Sequence, residues 1–127
     1  MGKSEKIKVI NFGHSLNSIV MKQIDDIWGG GNWELINCPI SINLRFDVST
    51  QIWRMINSVE GHFKKGEQPF IILPGLSIAS VVIVSIIQGR FGLLPKLIEI
   101  KKDLVMGQYT LSKITDLEDV ARGVHAG

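Results

Sequence analysis

The stretch that decides the fold is "QPFIILPGLSIASVVIVSIIQGRFG", from Gln68 to Gly92. Its first 22 residues, Gln68 to Gly89, contain no charged side chain, which is about the length at which an apolar helix can cross a bilayer. Pro74 and Gly75 interrupt this run, and a spanning helix would be broken there. The residues before them are typical of a buried parallel strand, and Ser77 to Gly89 has the length of a core helix. The sequence therefore predicts a strand, a loop and a buried helix here, and no membrane span.

The same alternation of strand and helix runs through the chain. Short runs rich in Ile, Val or Phe predict four strands, and segments with helical periodicity separate them. Such alternation is typical of parallel strands joined by crossover helices, hence of an α/β layered sheet. A fifth strand follows a connection too short for a crossover, so we expect it to lie antiparallel beside the fourth. The predicted strands are "KIKVINF" (Lys6–Phe12), "WELINCPI" (Trp33–Ile40), "PFIILP" (Pro69–Pro74), "KLIEIK" (Lys96–Lys101) and "QYTLSKI" (Gln108–Ile114).

Turn and cap residues bound the predicted helices. The glycines at 29–31 are expected to end the first helix as a C-cap cluster. Asp47 or Ser49 can cap the start of the second helix, and Gly66 is expected to close it. A short amphipathic helix, about Leu117 to Arg122, follows the last strand.

The third helix, Ser77 to Gly89, is apolar almost all round. A helix without a polar face is buried on more than one side, and a leftover apolar face would be sticky in a monomer. We therefore expect this helix to form a homodimer interface. The sequence does not determine the strand order, or whether dimers assemble further on a ligand.

The composition predicts one folded domain spanning residues 1–127, with 45% hydrophobic and 20% charged residues. A net charge of +2 disfavours binding to long nucleic acid, although a few Lys or Arg converging on one pocket would suffice for a small phosphate ligand. Cys38, the single cysteine, suits a reducing compartment. The N-terminal residues lack the apolar core of a signal peptide. We therefore expect a cytoplasmic protein that does not associate with a membrane.

Ligands of open α/β sheets collect at the carboxyl ends of the strands, where loops lead into helix N-termini. The loop after the first strand, "FGHSLNS", has Gly13 for close backbone approach. Ser15 or Asn17 is either the helix cap or a donor to a phosphate oxygen. His14 is either a surface turn residue or an acid-base group, since histidine changes its charge near neutral pH.

Two further loops follow the second and third strands. "LPGLSIAS" has Gly75 for close approach and Ser77 as a cap or phosphate donor, while "PISINLRFD" contains Arg45, which could clamp a phosphate or only solvate a turn. Arg90, at the end of the third helix, could bind a ligand, neutralise the helix dipole or contact a second subunit. The chain has neither a Walker loop nor G-x-G-x-x-G, so no cofactor is expected. No metal site is expected either, because the histidines are scattered without ligand spacing: His14, His62 and His125.

The motifs "NFGHSL", "PGLSIAS" and "QGRFGLLPKLIEI" resemble those of the small CRISPR-associated proteins of type III systems that are grouped with ring nucleases and bind cyclic tetra-adenylate. The resemblance covers about Lys6 to Leu117. It implies a minimal Rossmann-like three-layer sandwich that dimerises, so that the two-fold axis suits a symmetric ring of four adenylates. By position it implies a site formed by Gly13, His14, Ser15, Leu16, Asn17, Pro74, Gly75, Leu76 and Ser77, with Arg90 a weaker member.

Proteins of this group are expected to lower the free concentration of the second messenger by holding it or by cutting it. Cleavage without metal needs the ribose 2′-hydroxyl in line with its phosphate, ideally with a general base and a charge stabiliser. His14 is the one convincing titratable group of these loops, and no lysine or carboxylate stands beside it in the sequence. We therefore expect mainly sequestration, with at most slow cleavage. The alternative is a metal-independent ring nuclease with His14 as acid or base.

Overall fold

The computed structural model describes residues 5–124, in which strands and helices alternate as the sequence predicts. His125 lies outside the described residues. The strands are β1 (Ile7–Asn11), β2 (Trp33–Asn37), β3 (Phe70–Ile72), β4 (Lys96–Lys102) and β5 (Tyr109–Asp116). The helices are α1 (Ser18–Trp28), α2 (Val48–Glu60), α3 (Ser77–Phe91) and α4 (Leu117–Ala121).

The strands form one five-stranded sheet with the order β2-β1-β3-β4-β5. β1 pairs in parallel with β2 and with β3, and β3 pairs in parallel with β4. β5 runs antiparallel to β4, which confirms the prediction made from the short connection. The chain thus steps from β1 to β2 on one side and then returns past β1 to β3. The direction of winding reverses between β1 and β3, the place where open α/β sheets form a ligand crevice.

Successive residues of a strand point to opposite sides of the sheet, so the apolar strands place apolar side chains on both faces. Helices cover both faces. α1 packs on one face, and α2 and α3 pack on the other. The cluster under α1 is formed by Val9, Val20, Ile24, Trp33, Ile72 and Ile98. The larger cluster under α2 and α3 includes Ile10, Phe12, Ile52, Ile56, Ile71, Ile83 and Ile87.

α2 begins at a cap that the sequence predicts and ends earlier than expected. Asp47 is its N-cap and accepts hydrogen bonds from the N–H of Thr50 at 2.8 Å and from its hydroxyl at 2.6 Å. These bonds hold the pKa of Asp47 below its ordinary value. The prediction that Gly66 closes the helix is wrong, since Gly61 is the C-cap.

The early end of α2 has a local cause. The N–H groups of His62 and Phe63 donate to the carbonyls of Val59 and Glu60 in tight turns, at 3.1 and 3.0 Å. The helical periodicity of the sequence continues to Phe63 because this side chain still packs inward, edge-on to Phe91 at 5.5 Å between ring centroids. The partly buried side chain of Phe63 lies in a turn after α2, but its position in the sequence fits the apolar periodicity of a longer helix.

α3 follows the break at Pro74 and Gly75, and no helix within residues 5–124 is long and apolar enough to cross a membrane. Its inner face is buried against the sheet and α2. Its outer face keeps Ile78 at 49% and Val81 at 64% exposure, and continues with the exposed polar residue Gln88. The apolar surface of α3 that remains uncovered is therefore confined to its N-terminal half.

Candidate functional site

The carboxyl ends of the parallel strands open onto two neighbouring clefts. Loop A (residues 12–17) connects β1 to α1, and loop B (residues 73–76) connects β3 to α3. The two loops form a wall that both clefts share, built from Gly13, His14, Ser15, Pro74 and Gly75. The structure thus brings together two loops that lie about sixty residues apart in the sequence, at the point where the winding of the sheet reverses.

The first cleft, of about 690 Å³, lies between the shared wall and loop C (residues 38–47), which follows β2. Its lining outside the wall is apolar except for Asn37, the last residue of β2. Apolar walls with a few convergent polar groups are the usual make-up of a small-ligand pocket. The remaining lining residues are Phe12, Pro39, Ile40, Ile42, Leu44 and Leu76.

The second cleft, of about 530 Å³, lies between the shared wall and the hairpin of β4 and β5. Tyr109, the first residue of β5, is 56% exposed and lines this cleft. The other lining residues outside the wall are Leu16, Asn17, Val20, Ile72, Leu73 and Ile100.

Gly13 allows loop A to pass close to loop B. A Cβ atom at Gly13 would lie 3.2 Å from the backbone oxygen of Leu73 and 3.5 Å from Oδ1 of Asn11. The glycine therefore serves the contact between the two loops, and a side chain there would push them apart. Gly75 differs, because its missing Cβ would meet open space.

Asn11, the last residue of β1, is almost fully buried and braces loop A. Its Oδ1 accepts a hydrogen bond from the N–H of Gly13 at 2.9 Å, and its Nδ2 donates to the carbonyl of His14 at 2.9 Å. The same Nδ2 donates to Oδ1 of Asn37 at 3.3 Å. These bonds fix the backbone under His14, whose side chain stays exposed on the shared wall.

The sequence offers Ser15 or Asn17 as the N-cap of α1, and the N-cap is Asn17. Its Oδ1 accepts from the N–H of Val20 at 2.8 Å, and its Nδ2 donates to the carbonyl of Tyr109 at 3.1 Å. Asn17 therefore ties loop A to the hairpin. Ser15 remains exposed on the wall, where its hydroxyl can donate to an acceptor, and Leu16 adds apolar surface to the second cleft.

Ser77 is the first residue of α3, so of the two roles predicted for it, cap or phosphate donor, the cap is wrong. The N-cap is Leu76, whose side chain cannot accept a hydrogen bond and makes no cap bond. The hydroxyl of Ser80, one turn into the helix, shares its single proton between the carbonyls of Pro74 at 3.1 Å and Leu76 at 3.2 Å. Leu76 lines the first cleft, so the start of α3 lies next to that cleft.

The two arginines among the predicted site residues are not brought into the clefts. Arg45 is exposed on loop C beside Leu44, which does line the first cleft. Arg90 lies at the far end of α3, about 20 Å from the helix start at 1.5 Å per residue. Its side chain is 8% exposed, pairs with Glu60 at 3.2 Å and stacks over the ring of Trp53 at 3.9 Å. Arg90 therefore joins α2 to α3, away from the clefts.

Few ionisable groups face the clefts. Within residues 5–124, the ionisable side chains in the two linings are those of His14 and Tyr109. Cys38 is buried at the start of loop C, and burial raises the pKa of its thiol, which makes it a poor nucleophile. The same range contains no group of three or more His, Cys, Asp or Glu side chains that could hold a metal ion.

Besides apolar lining residues, sequence reasoning missed three side chains with polar groups at the site: Asn11, Asn37 and Tyr109. A signal existed for the two asparagines, since each follows an apolar run at the end of a strand, and parallel pairing places them side by side. Tyr109 could be found only with the sheet order in hand, because its position depends on β5 returning along β4 to the edge where the clefts lie.

The fold and the site together define a small α/β domain with paired clefts at the carboxyl edge of its sheet. Comparisons with protein-family models, with curated proteins and with solved structures found no match to this chain.

Proposed function

We propose that this protein binds cyclic tetra-adenylate, the second messenger of type III CRISPR antiviral defence, and lowers its free concentration mainly by holding it. The domain would then be a minimal Rossmann-like three-layer sandwich acting in the cytoplasm. The observation that carries the proposal is the pair of clefts on either side of one polar wall. The sequence motifs of loops A and B that resemble the ring-binding group form this wall.

Cleft size and number fit a ring of nucleotides. Volumes of about 690 and 530 Å³ lie within the usual range for small-ligand pockets, about 300–1,000 Å³. Two clefts in each chain give four in a two-fold dimer, one for each adenylate of the ring. Bases would enter the apolar clefts, and the phosphodiesters between them would cross the wall.

The chemistry of the wall suits a phosphodiester. Gly13 and Gly75 add no side chains to the wall, so a phosphodiester can approach its backbone. The exposed side chains of His14 and Ser15 offer hydrogen bonds. The start of α3, where Leu76 provides no side-chain cap, would add backbone N–H donors beside the first cleft. No Lys or Arg lines either cleft within the described range, so binding would rest on hydrogen bonds and stacking more than on net charge.

A homodimer would use the exposed apolar end of α3. Ile78 and Val81 lie on its outer face, and Leu76 belongs to the rim of the first cleft as well. Pairing through this surface would cover the exposed apolar side chains and would bring the clefts of two chains near one another. This arrangement is the reason for expecting one ring per two chains.

Sequestration is favoured over cleavage by the sparse chemistry of the wall. Cleavage of the ring would need His14 to remove or supply a proton while another group stabilises the developing charge. No carboxylate, lysine or arginine from the described residues stands in either lining to assist it. The alternative, a metal-independent ring nuclease, rests on the exposure of His14 in the wall of both clefts.

The test is to incubate labelled cyclic tetra-adenylate with the protein, first at equal concentration and then in excess, and to analyse the products after denaturation. Recovery of the intact ring supports sequestration, whereas many turnovers to linear products would establish the nuclease instead. His14→Ala should then abolish cleavage and keep much of the affinity. His62→Ala is the matched control, because His62 is exposed on the turn after α2.

A further inference from the structure

The buried side chain of Asn11 has only one orientation that satisfies its neighbours. One of its partners, the N–H of Gly13, can only donate, and another, the carbonyl of His14, can only accept. The oxygen of Asn11 must therefore face Gly13, and its NH₂ group must face His14. With the side chain 1% exposed, water cannot replace either partner without opening the loop.

This orientation determines that of Asn37. The NH₂ group of Asn11 also donates to Asn37, at 3.3 Å, and so requires an oxygen on the neighbouring amide. Oδ1 of Asn37 is thus held against Asn11, and its NH₂ group points away from that bond. Asn37 is exposed and lines the first cleft. The backbone of loop A orients Asn11, and Asn11 in turn orients Asn37.

We propose that Asn37 is a ligand-binding residue, presented by Asn11 as a fixed hydrogen-bond donor to an acceptor atom of a nucleotide ligand in the first cleft. This inference deepens the proposed function and rests on it. The acceptor is a ring nitrogen of the base or an oxygen of the phosphodiester, since both accept from an NH₂ group. Asn37 is the polar side chain of this cleft outside the shared wall, and its apolar neighbours make it the group that selects for an acceptor.

A preoriented donor favours ligands with an acceptor at that point and disfavours those with a donor there. In a cleft lined by Ile40, Ile42 and Leu44, an unmatched polar group on the ligand would lose its water without replacement. Asn11 is accordingly a positioning residue: it contacts no ligand and fixes which face of the Asn37 amide the ligand meets.

The test measures binding of cyclic tetra-adenylate by calorimetry to the wild type, Asn37→Ala, Asn37→Asp and Asn57→Asp. Asn57 is exposed on α2, so its variant repeats the change of charge outside the clefts. Removing the donor should weaken binding roughly 3- to 10-fold, the range for one neutral hydrogen bond. Asn37→Asp should lose somewhat more affinity than Asn37→Ala, with an excess that does not depend on salt, if the acceptor is a base nitrogen, because a carboxylate only accepts hydrogen bonds. It should exceed the loss in Asn37→Ala, with a salt-dependent excess, if the acceptor is a phosphodiester.

Wild-type affinity in both Asn37 variants would overturn this inference and leave the proposed function standing. If the wild type itself does not bind the ring, the proposed function fails, and the amide arrangement is then judged in the ligand-free protein by NMR. Slow solvent exchange of the side-chain NH₂ of Asn11, with fast exchange for Asn37 and Asn57, supports the fixed donor. Equally fast exchange of Asn11 and Asn57 would overturn it.

Discussion

Adding one methyl group at Gly13 perturbs the contact between loops A and B on which both clefts depend. The new Cβ would lie 3.2 Å from the carbonyl oxygen of Leu73, which is shorter than an ordinary van der Waals contact and directed at backbone. Loop A must therefore move away from loop B by a few tenths of an ångström. That movement stretches the hydrogen bond from the Gly13 N–H to Asn11, now 2.9 Å long.

The expected magnitude follows from this geometry. Overpacking of a close contact costs about 1–3 kcal/mol, so Gly13→Ala should lower the melting temperature by roughly 3–6 °C for each kcal/mol in a domain of this size. Gly75→Ala is the matched control, since its Cβ meets open space and its backbone does not need a positive φ. That variant should be neutral, or stabilised by up to about 1 kcal/mol through a less flexible unfolded chain.

The assay is thermal unfolding of the two variants beside the wild type, followed by titration with cyclic tetra-adenylate. Gly13→Ala should also bind the ring about tenfold more weakly, which corresponds to about 1.4 kcal/mol from the displaced wall. The steric argument predicts that Gly75→Ala is more stable than Gly13→Ala. Equal stability of both alanine variants would refute the reasoning, because it would mean that the loops do not meet at Gly13.

The remaining predictions concern four separate side chains. Tyr109→Ala should weaken ring binding about 5- to 150-fold and Tyr109→Phe should not, as expected for stacking of about 1–3 kcal/mol, and equal losses in a titration would contradict stacking. Arg90→Ala should lower the free energy of unfolding in urea by about 1–2 kcal/mol without changing ring affinity. Unchanged stability together with weaker ring binding would show that Arg90 is a ligand-binding residue. Iodoacetamide should modify Cys38 far more slowly in the native than in the denatured protein, because burial raises the pKa of the thiol; rapid native labelling would contradict its burial. The hydrogen bonds from Thr50 lower the pKa of Asp47 from its ordinary value of 3.8, so the Asp47 carboxylate stabilises the fold above that pH and stops doing so as the pH falls through the lower folded pKa. Asp47→Asn should therefore reduce the drop of the urea unfolding midpoint below about pH 4. The same drop in the variant and the wild type would show that Asp47 does not contribute to the acid sensitivity of the fold.

The fold could be predicted from the sequence where local chemistry and tertiary packing agree. Pro74 and Gly75 mark the end of β3, the glycines at 29–31 end α1, and the connection of β4 to β5 is too short for a crossover. The end of α2 was misjudged because Phe63 continues the apolar periodicity from a turn. The strand order could not be read, since the sequence pattern of a buried strand is the same at each position in a sheet.

The candidate site was predictable in its loops and not in its individual partners. A glycine followed by polar residues after a strand marks loop A, and the pair Pro74 and Gly75 after a strand marks loop B. Spacing along the chain does not reveal that Arg90 pairs with Glu60 and stacks on Trp53, away from the two clefts. The pairing of Asn11 with Asn37 needs the register of two strands that are joined through α1.

The most direct test of the central claim is a calorimetric titration of the wild-type protein with cyclic tetra-adenylate and, separately, with ATP. Two clefts beside one wall in each chain predict that the ring binds at least tenfold more tightly than ATP, with one ring for two chains. Equal affinity for the two ligands, or no binding of the ring, would contradict the claim and would leave a small α/β domain whose clefts serve another nucleotide or another ligand altogether.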